Sequence, residues 1–244
     1  MIELNVRASR ALSRALGLPT DKALWQSFEQ EVQERIRALP DGAVVVDVGG
    51  GRRCVYHHAL RPGIELVATD VSAEELALNP HATRTLVADV SADLPLPSAS
   101  ADLLVSRAVL EHAPDVRSAA RNMAVVVKPG AQTMHLLPGR HSLFALGARL
   151  LPFGPLLWIL HRVDPTTVDQ VEFDVHYDQG TPKRLGRAFA DAGFTDVTIE
   201  VTWAQPEYFE AIFPLFVTYA LYEMTVRTLG IRALAAYVVV RATR

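Results

Sequence analysis

Three acids stand roughly 20 residues apart, at Asp47, Asp70 and Asp89, and the first runs directly into Gly49-Gly50-Gly51. Each acid closes a short apolar run, at residues 44–48, 65–69 and 85–88. A carboxylate is an acceptor with two prongs, suited to a pair of hydroxyls or to an amine. Clustered glycines let a backbone turn sharply and approach a ligand without an intervening Cβ. In a parallel sheet, acids ending successive strands fall along one edge, and that carboxyl edge is where open α/β sheets bind ligands. The combination points to a nucleotide-like ligand lying across the ends of three strands.

The elements that must hold these residues are legible from pattern. The run at 44–48 does not alternate, so it reads as a strand buried on both faces. Further strands are expected at 65–69, 85–88, 102–106, 131–137, 196–201 and 235–241. Helices are expected at 20–39, after Ser72 as cap, at 116–126, and after Thr181-Pro182 up to Gly193. Leu94-Pro95-Leu96-Pro97 must be loop. Lys128-Pro129-Gly130 reads as a turn. The expected order is β-α-β-α-β-α-β-α-β followed by two late strands. That order argues for an α/β fold with a doubly wound, seven-stranded, mostly parallel sheet under helices. The stretch 142–163 reads as two short helices, and 206–229 as a long helical region. A single domain over 1–244 is expected, with 1–40 as an N-terminal helical segment and 138–180 and 204–231 as a helical lid insertion.

Composition narrows the partners. The chain has 244 residues, a net charge of -3 and one cysteine, Cys54. Its pI is about 6.2 and its mean hydropathy +0.16. An acidic balance disfavours nucleic acid. A lone cysteine permits no internal disulfide and suits a reducing, cytoplasmic compartment. No signal peptide or spanning helix is expected.

The motifs resemble those of class I S-adenosylmethionine-dependent methyltransferases, in particular the group that includes the ubiquinone and menaquinone methyltransferases (the type 11 group). The family's acid followed by Gly-x-Gly-x-Gly is matched by Asp47-Val48-Gly49-Gly50-Gly51-Arg52-Arg53. Asp70 and Asp89-Val90 stand where the family has its second and third acids. Leu110-Glu111-His112-Ala113-Pro114-Asp115 is very similar to the family's Leu-Glu-His-Val-Pro-Asp, and Lys128-Pro129-Gly130 matches as well. The resemblance covers residues 44–137 and departs at Arg53, where the family has its third glycine.

The resemblance implies a Rossmann-like methyltransferase fold and S-adenosylmethionine as cofactor, with S-adenosylhomocysteine as product. It implies a cofactor site of Asp47, Gly49, Gly50, Gly51, Asp70, Val71, Asp89, Val90, Ser106 and Arg107. In that site Asp47 faces the ammonium, Asp70 the ribose hydroxyls and Asp89 with Val90 the adenine. Ser106 and Arg107 line the methionine side. A hydroxyl acceptor also needs a base. His112, His141 and His176 are the candidates, with Tyr177 nearby, whereas His135 lies inside a strand and reads as structural. No metal centre is expected, since His57-His58 alone is a poor ligand set. The apolar stretches 143–160 and 209–226 read as lid core, as an acceptor pocket or as a membrane-surface contact, and a dimer interface would use the same surface. The aromatic stripe Phe209, Phe213, Phe216, Tyr219 and Tyr222 reads as packing. The expected reaction is methyl transfer to a small, rather apolar acceptor, most simply at oxygen. Two alternatives are a cofactor-binding protein without turnover and an NAD-dependent oxidoreductase. The latter's Gly-x-Gly-x-x-Gly fingerprint fails at Cys54.

Overall fold

The apolar runs are strands, and their burial explains their composition. β1 (Val44–Val48), β2 (Glu65–Asp70), β3 (Arg84–Val87), β4 (Ala101–Arg107), β5 (Val127–Pro138), β6 (Thr195–Thr202) and β7 (Tyr237–Thr243) form one sheet in the order β3-β2-β1-β4-β5-β7-β6. This computed structural model describes residues 2–143, 145–146, 175–204 and 207–244. Val45, Val46, Leu66, Val67, Leu104 and Val105 are wholly buried, as a strand covered on both faces requires. β1 is parallel to both β2 and β4, β2 to β3, and β4 to β5. β7 runs the other way: Gly130 N donates to Arg244 O at one end and Gly139 N to Ala236 O at the other. The sheet is therefore mostly parallel with one reversed strand, and the order in which the chain adds strands reverses between β1 and β4.

The helices are fewer than the alternating pattern implied. Between β1 and β2 there is only a 3-10 turn, His57–Ala59, where the expected order required a helix. The intervening sequence, Arg53-Cys54-Val55-Tyr56, buries Cys54 and Tyr56 without a helical stripe. The β3–β4 connection is loop among the described residues, as the Leu-Pro-Leu-Pro run demands. The β2–β3 crossover carries only the short α3 (Ala73–Ala77), capped by the Ser72 hydroxyl, which accepts from Glu75 N at 3.2 Å. α4 (Val116–Val126) precedes β5 and is capped by Asp115, which accepts from the amides of Arg117 and Ser118. α5 (Pro182–Asp191) precedes β6. Lys128-Pro129-Gly130, expected as a turn, lies inside β5. It appears there as an irregularity, with a register shift opposite Ala101 and Leu103 and Gly130 at φ +80.

The chain divides into two compact units, one of residues 27–138, 174–200 and 238–244 and one of residues 1–26, 139–173 and 201–237. The first is the sheet unit. α2 (Asp21–Ala38) contributes the buried Phe28, Val32 and Ile36. Its Glu31 takes a bidentate fork from Arg241 of β7, with Nε–Oε1 at 2.9 Å and Nη2–Oε2 at 2.6 Å. The second unit is helical. α1 (Ile2–Leu16) is fastened by Arg10 Nε donating to Glu210 Oε2 at 2.8 Å and by Ser9 Oγ donating to Glu210 O at 3.0 Å. The region expected as one long helix at 206–229 is a 3-10 segment, Glu207–Ala211, followed by α6 (Phe213–Thr228). Proline at the start of α6 marks the break. Phe216 and Tyr219 of the aromatic stripe are core, with Phe209 stacked on Tyr219 at 5.4 Å. Of the two short helices expected at 142–163, residues 144 and 147–163 lie outside the described residues. Among the described residues no helix is long and apolar enough to cross a membrane.

Candidate cofactor and methyl-transfer site

The register gathers the predicted residues at one edge. Val48 stands opposite Thr69 and Ser106, so Gly49, Asp70 and Arg107, the next residue on each chain, lie level across three strands. The glycine loop is held by backbone: Gly49 N and Gly50 N both donate to Thr69 O, at 2.7 and 3.0 Å. Gly49 has φ +70, and a Cβ there would run into the Val109 side chain. Gly51 has φ +44 and open space around a Cβ, with Asp70 Oδ2 nearest at 3.7 Å. Glycine is thus required at Gly49 by both backbone and packing, and at Gly51 by backbone alone.

Asp70 braces the loop from the neighbouring strand. Its Oδ2 accepts from Gly51 N at 3.1 Å and its Oδ1 from Ser72 N at 2.9 Å. Each oxygen keeps a lone pair for a further donor. Asn79 adds a second brace, donating to Gly50 O at 3.3 Å and Gly51 O at 2.9 Å. Arg52 forks onto Glu75 at 2.6 and 2.7 Å, and Arg53 is exposed. Val71, the residue after Asp70, is exposed. Asp89 lies two residues beyond β3 and is exposed, its Oδ1 accepting from Ser91 N at 2.8 Å. Val90 is buried, its carbonyl taken by Asn122 at 2.9 Å.

Asp47 is the electrostatic centre. It is 5% exposed. Burial pushes its carboxyl up to about 7, opposed by the Arg107 charge and a hydrogen bond from the Cys54 thiol, while Asp70 adds repulsion. Arg107 Nη1 sits 2.8 Å from Glu29 Oε1, so its charge is shared. A buried carboxyl with too little compensating charge fits a ligand that brings a cation, as the ammonium of S-adenosylmethionine would. Tyr56 lies in the same pocket of charge. Its hydroxyl is buried without a hydrogen-bond partner among the described residues, and burial, then the Asp47 charge, raises its pKa. Cys54 and Tyr56 are site residues that sequence reasoning missed, and an apolar run carries no signal for them.

Ser106 differs from expectation. It is 1% exposed, and its Oγ pairs with His135 Nδ1 at 2.7 Å. His135 Nε2 pairs with Thr133 Oγ1 at 2.6 Å. Burial lowers the imidazole to about 3, so it stays neutral, donating through one nitrogen and accepting through the other. His135 is a hydrogen-bonded core residue, and the Ser106 hydroxyl is engaged with it.

The turn after β4 carries His112 and takes the backbone of His176. His112 is half-buried, with Nε2 3.9 Å from Glu111 Oε1. The carbonyl of Glu111 accepts from both His176 N and Tyr177 N, each at 2.9 Å, although the His176 side chain is exposed. The Glu111 carboxyl is buried, its Oε2 has no partner among the described residues, and burial pushes it up to about 8. An acid inside the apolar run Val109-Leu110-Glu111-His112-Ala113 was the available sign of this pairing. His141 belongs to the helical unit. Among the described residues no group of three His, Cys, Asp or Glu could hold a metal ion.

Residues 46–134 match a family model described as a methyltransferase domain. No curated protein matches the chain in sequence. Among solved structures, phosphoethanolamine N-methyltransferase 2 of Haemonchus contortus in complex with S-adenosyl-L-methionine is similar, with a TM-score of 0.55 at 13% identity. That match covers 88% of this chain and 52% of that one, so the chain spans about half that enzyme's length. A SAM-dependent methyltransferase from Archaeoglobus fulgidus gives a TM-score of 0.52 at 18% identity, covering 91% and 98%. Geranyl diphosphate C-methyltransferase from Streptomyces coelicolor A3(2) gives 0.54 at 15%, covering 91% and 80%. At such identities the likeness is one of fold.

Proposed function

We propose that this chain, whose residues 46–134 match a methyltransferase-domain model, is a class I S-adenosylmethionine-dependent methyltransferase that methylates an oxygen of a small, largely apolar acceptor. The observation that carries the cofactor half is Asp47, a buried carboxyl short of positive charge beside a braced glycine loop. In this reading Asp47 faces the cofactor's ammonium. Gly49, Gly50 and Gly51 form the floor under its methionine part, and Arg107 and the backbone of Ser106 flank it. Asp70 accepts from the ribose hydroxyls, with Val71 beside them, and Asp89 and Val90 meet the adenine. The cofactor supplies a methyl already activated on a sulfonium. What remains for the protein is alignment, exclusion of water and, for a hydroxyl acceptor, removal of a proton.

His112 is the base in this reading, because it stands in the turn after β4 beside a buried carboxyl. That pair favours oxygen, since a hydroxyl must lose its proton. The similar structures include N- and C-methyltransferases by name. The choice of an apolar acceptor rests on the apolar stretches 143–160 and 209–226 of the sequence. The single, buried Cys54 suits a cytoplasmic setting.

Calorimetric titration with S-adenosylhomocysteine tests the cofactor half, and no binding at high micromolar concentration would sink it. A panel of apolar phenols and carboxylic acids with methyl-labelled cofactor tests the acceptor half. Label recovered on nitrogen or carbon would overturn the choice of oxygen.

A further inference from the structure

The sheet unit holds an open pocket of about 680 Å³ lined by residues of α4, α5 and the turn at 178–179. It presents three guanidinium groups. Arg117 comes from the first turn of α4, and Arg184 and Arg187 stand one turn apart on α5, hence on one face. Two carboxylates also line it, and both are engaged elsewhere. Asp115 accepts from the amides of Arg117 and Ser118 at 3.0 Å and from the Ser118 hydroxyl. Those bonds hold its carboxyl below the usual range. Asp178 accepts from Val116 N at 3.1 Å and from Gln179 Nε2 at 3.0 Å.

Among the described residues, none of the three guanidinium groups has an ion-pair or hydrogen-bond partner. The wall that carries Asp178 is set in place. Tyr177 and Gln179 are held at φ 50 and 48, and Tyr177 N is tied to Glu111 O.

We propose that this pocket binds the phosphate or diphosphate group of a small molecule. Guanidinium forks match phosphate oxygens in pairs, and the three arginines outnumber the two carboxylates of the lining, which leaves it net positive. The volume suits a small ligand. A nucleic-acid track would need a longer basic surface than three arginines on a chain of net charge -3. The test of this site needs neither cofactor nor turnover.

The test is titration with pyrophosphate and with inorganic phosphate at constant ionic strength. It uses the wild-type chain, the double variant Arg184→Ala/Arg187→Ala and the charge-preserving Arg184→Lys/Arg187→Lys. Arg184 and Arg187 are exposed, so the fold should persist, and unchanged S-adenosylhomocysteine affinity checks this. Wild type should bind pyrophosphate more tightly than phosphate. The alanine variant should lose about tenfold or more in affinity, with the lysine variant between. Equal pyrophosphate affinity in wild type and alanine variant, or no wild-type binding up to about 10 mM, would overturn the proposal. Tighter binding of a single-stranded oligonucleotide through the same arginines would overturn it in favour of nucleic acid.

Discussion

Glu111 and His112 are sequence neighbours whose side chains meet, Glu111 Oε1 lying 3.9 Å from His112 Nε2. The acid is buried and its second oxygen has no partner among the described residues. Burial raises its pKa from 4.5 to about 8. The folded state therefore binds this proton more tightly than the unfolded chain does. The stability it contributes is present below the unfolded value and is lost as pH rises through about 8. Glu111→Gln, neutral at every pH, should flatten the fall in thermal midpoint between about pH 5 and pH 9. A constant difference between wild type and variant across that range would show that the carboxyl is not buried in its neutral form.

Asp47 gives a pH dependence to binding rather than to folding alone. Its carboxyl titrates near 7 because of burial, and a cation beside it favours the ionised form. S-adenosylhomocysteine should therefore bind more tightly as pH rises from about 6 to about 8. Asp47→Asn should weaken binding and abolish that slope. Calorimetry at several pH values reads both, and a slope that survives in the variant would remove Asp47 from the ammonium.

Asp70 joins the loop and the proposed ribose site. Asp70→Ala should cost roughly 1.5–3 kcal/mol of S-adenosylhomocysteine affinity, as for hydrogen bonds to a charged group. Part of that loss should come from Gly51 N, which Asp70 now receives at 3.1 Å. Unchanged affinity would refute its role.

The glycines should differ in their tolerance. Gly51→Ala should cost about 1–2 kcal/mol of stability, the price of a left-handed backbone alone. Gly49→Ala should cost more, because its Cβ also meets Val109. Adding Val109→Ala should return part of the difference. Chemical denaturation of the two single variants and the Gly49→Ala/Val109→Ala double variant measures this, and equal losses at both glycines would contradict the packing.

Local pattern made the sheet and its acids readable. Apolar runs without alternation at residues 44–48 and 65–69 fit only strands covered on both faces. An acid next to three glycines has few structural uses, and the spacing of Asp47, Asp70 and Asp89 sets one strand per acid. Local pattern misled where a residue's surroundings decide its state. The segment after Gly51 has helical length but no helical stripe, and Cys54 and Tyr56 turn inward beneath Asp47 instead. Ser106 reads as a site hydroxyl until the register sets it against His135. Lys128-Pro129-Gly130 reads as a turn until strand pairing absorbs it.

By itself, then, the sequence determined the strands, the glycine loop, the acids at the strand ends and the Leu-Glu-His turn, because each depends on neighbours within a few residues. Only the tertiary structure decided which charges are compensated. Arg107 meets Glu29 across 78 positions, the Glu111 carbonyl takes in the amides of His176 and Tyr177, and three arginines from two helices share one pocket. Those relationships arise from packing between distant segments, and packing sets the burial that moves a carboxyl from its ordinary pKa to about 7 or 8.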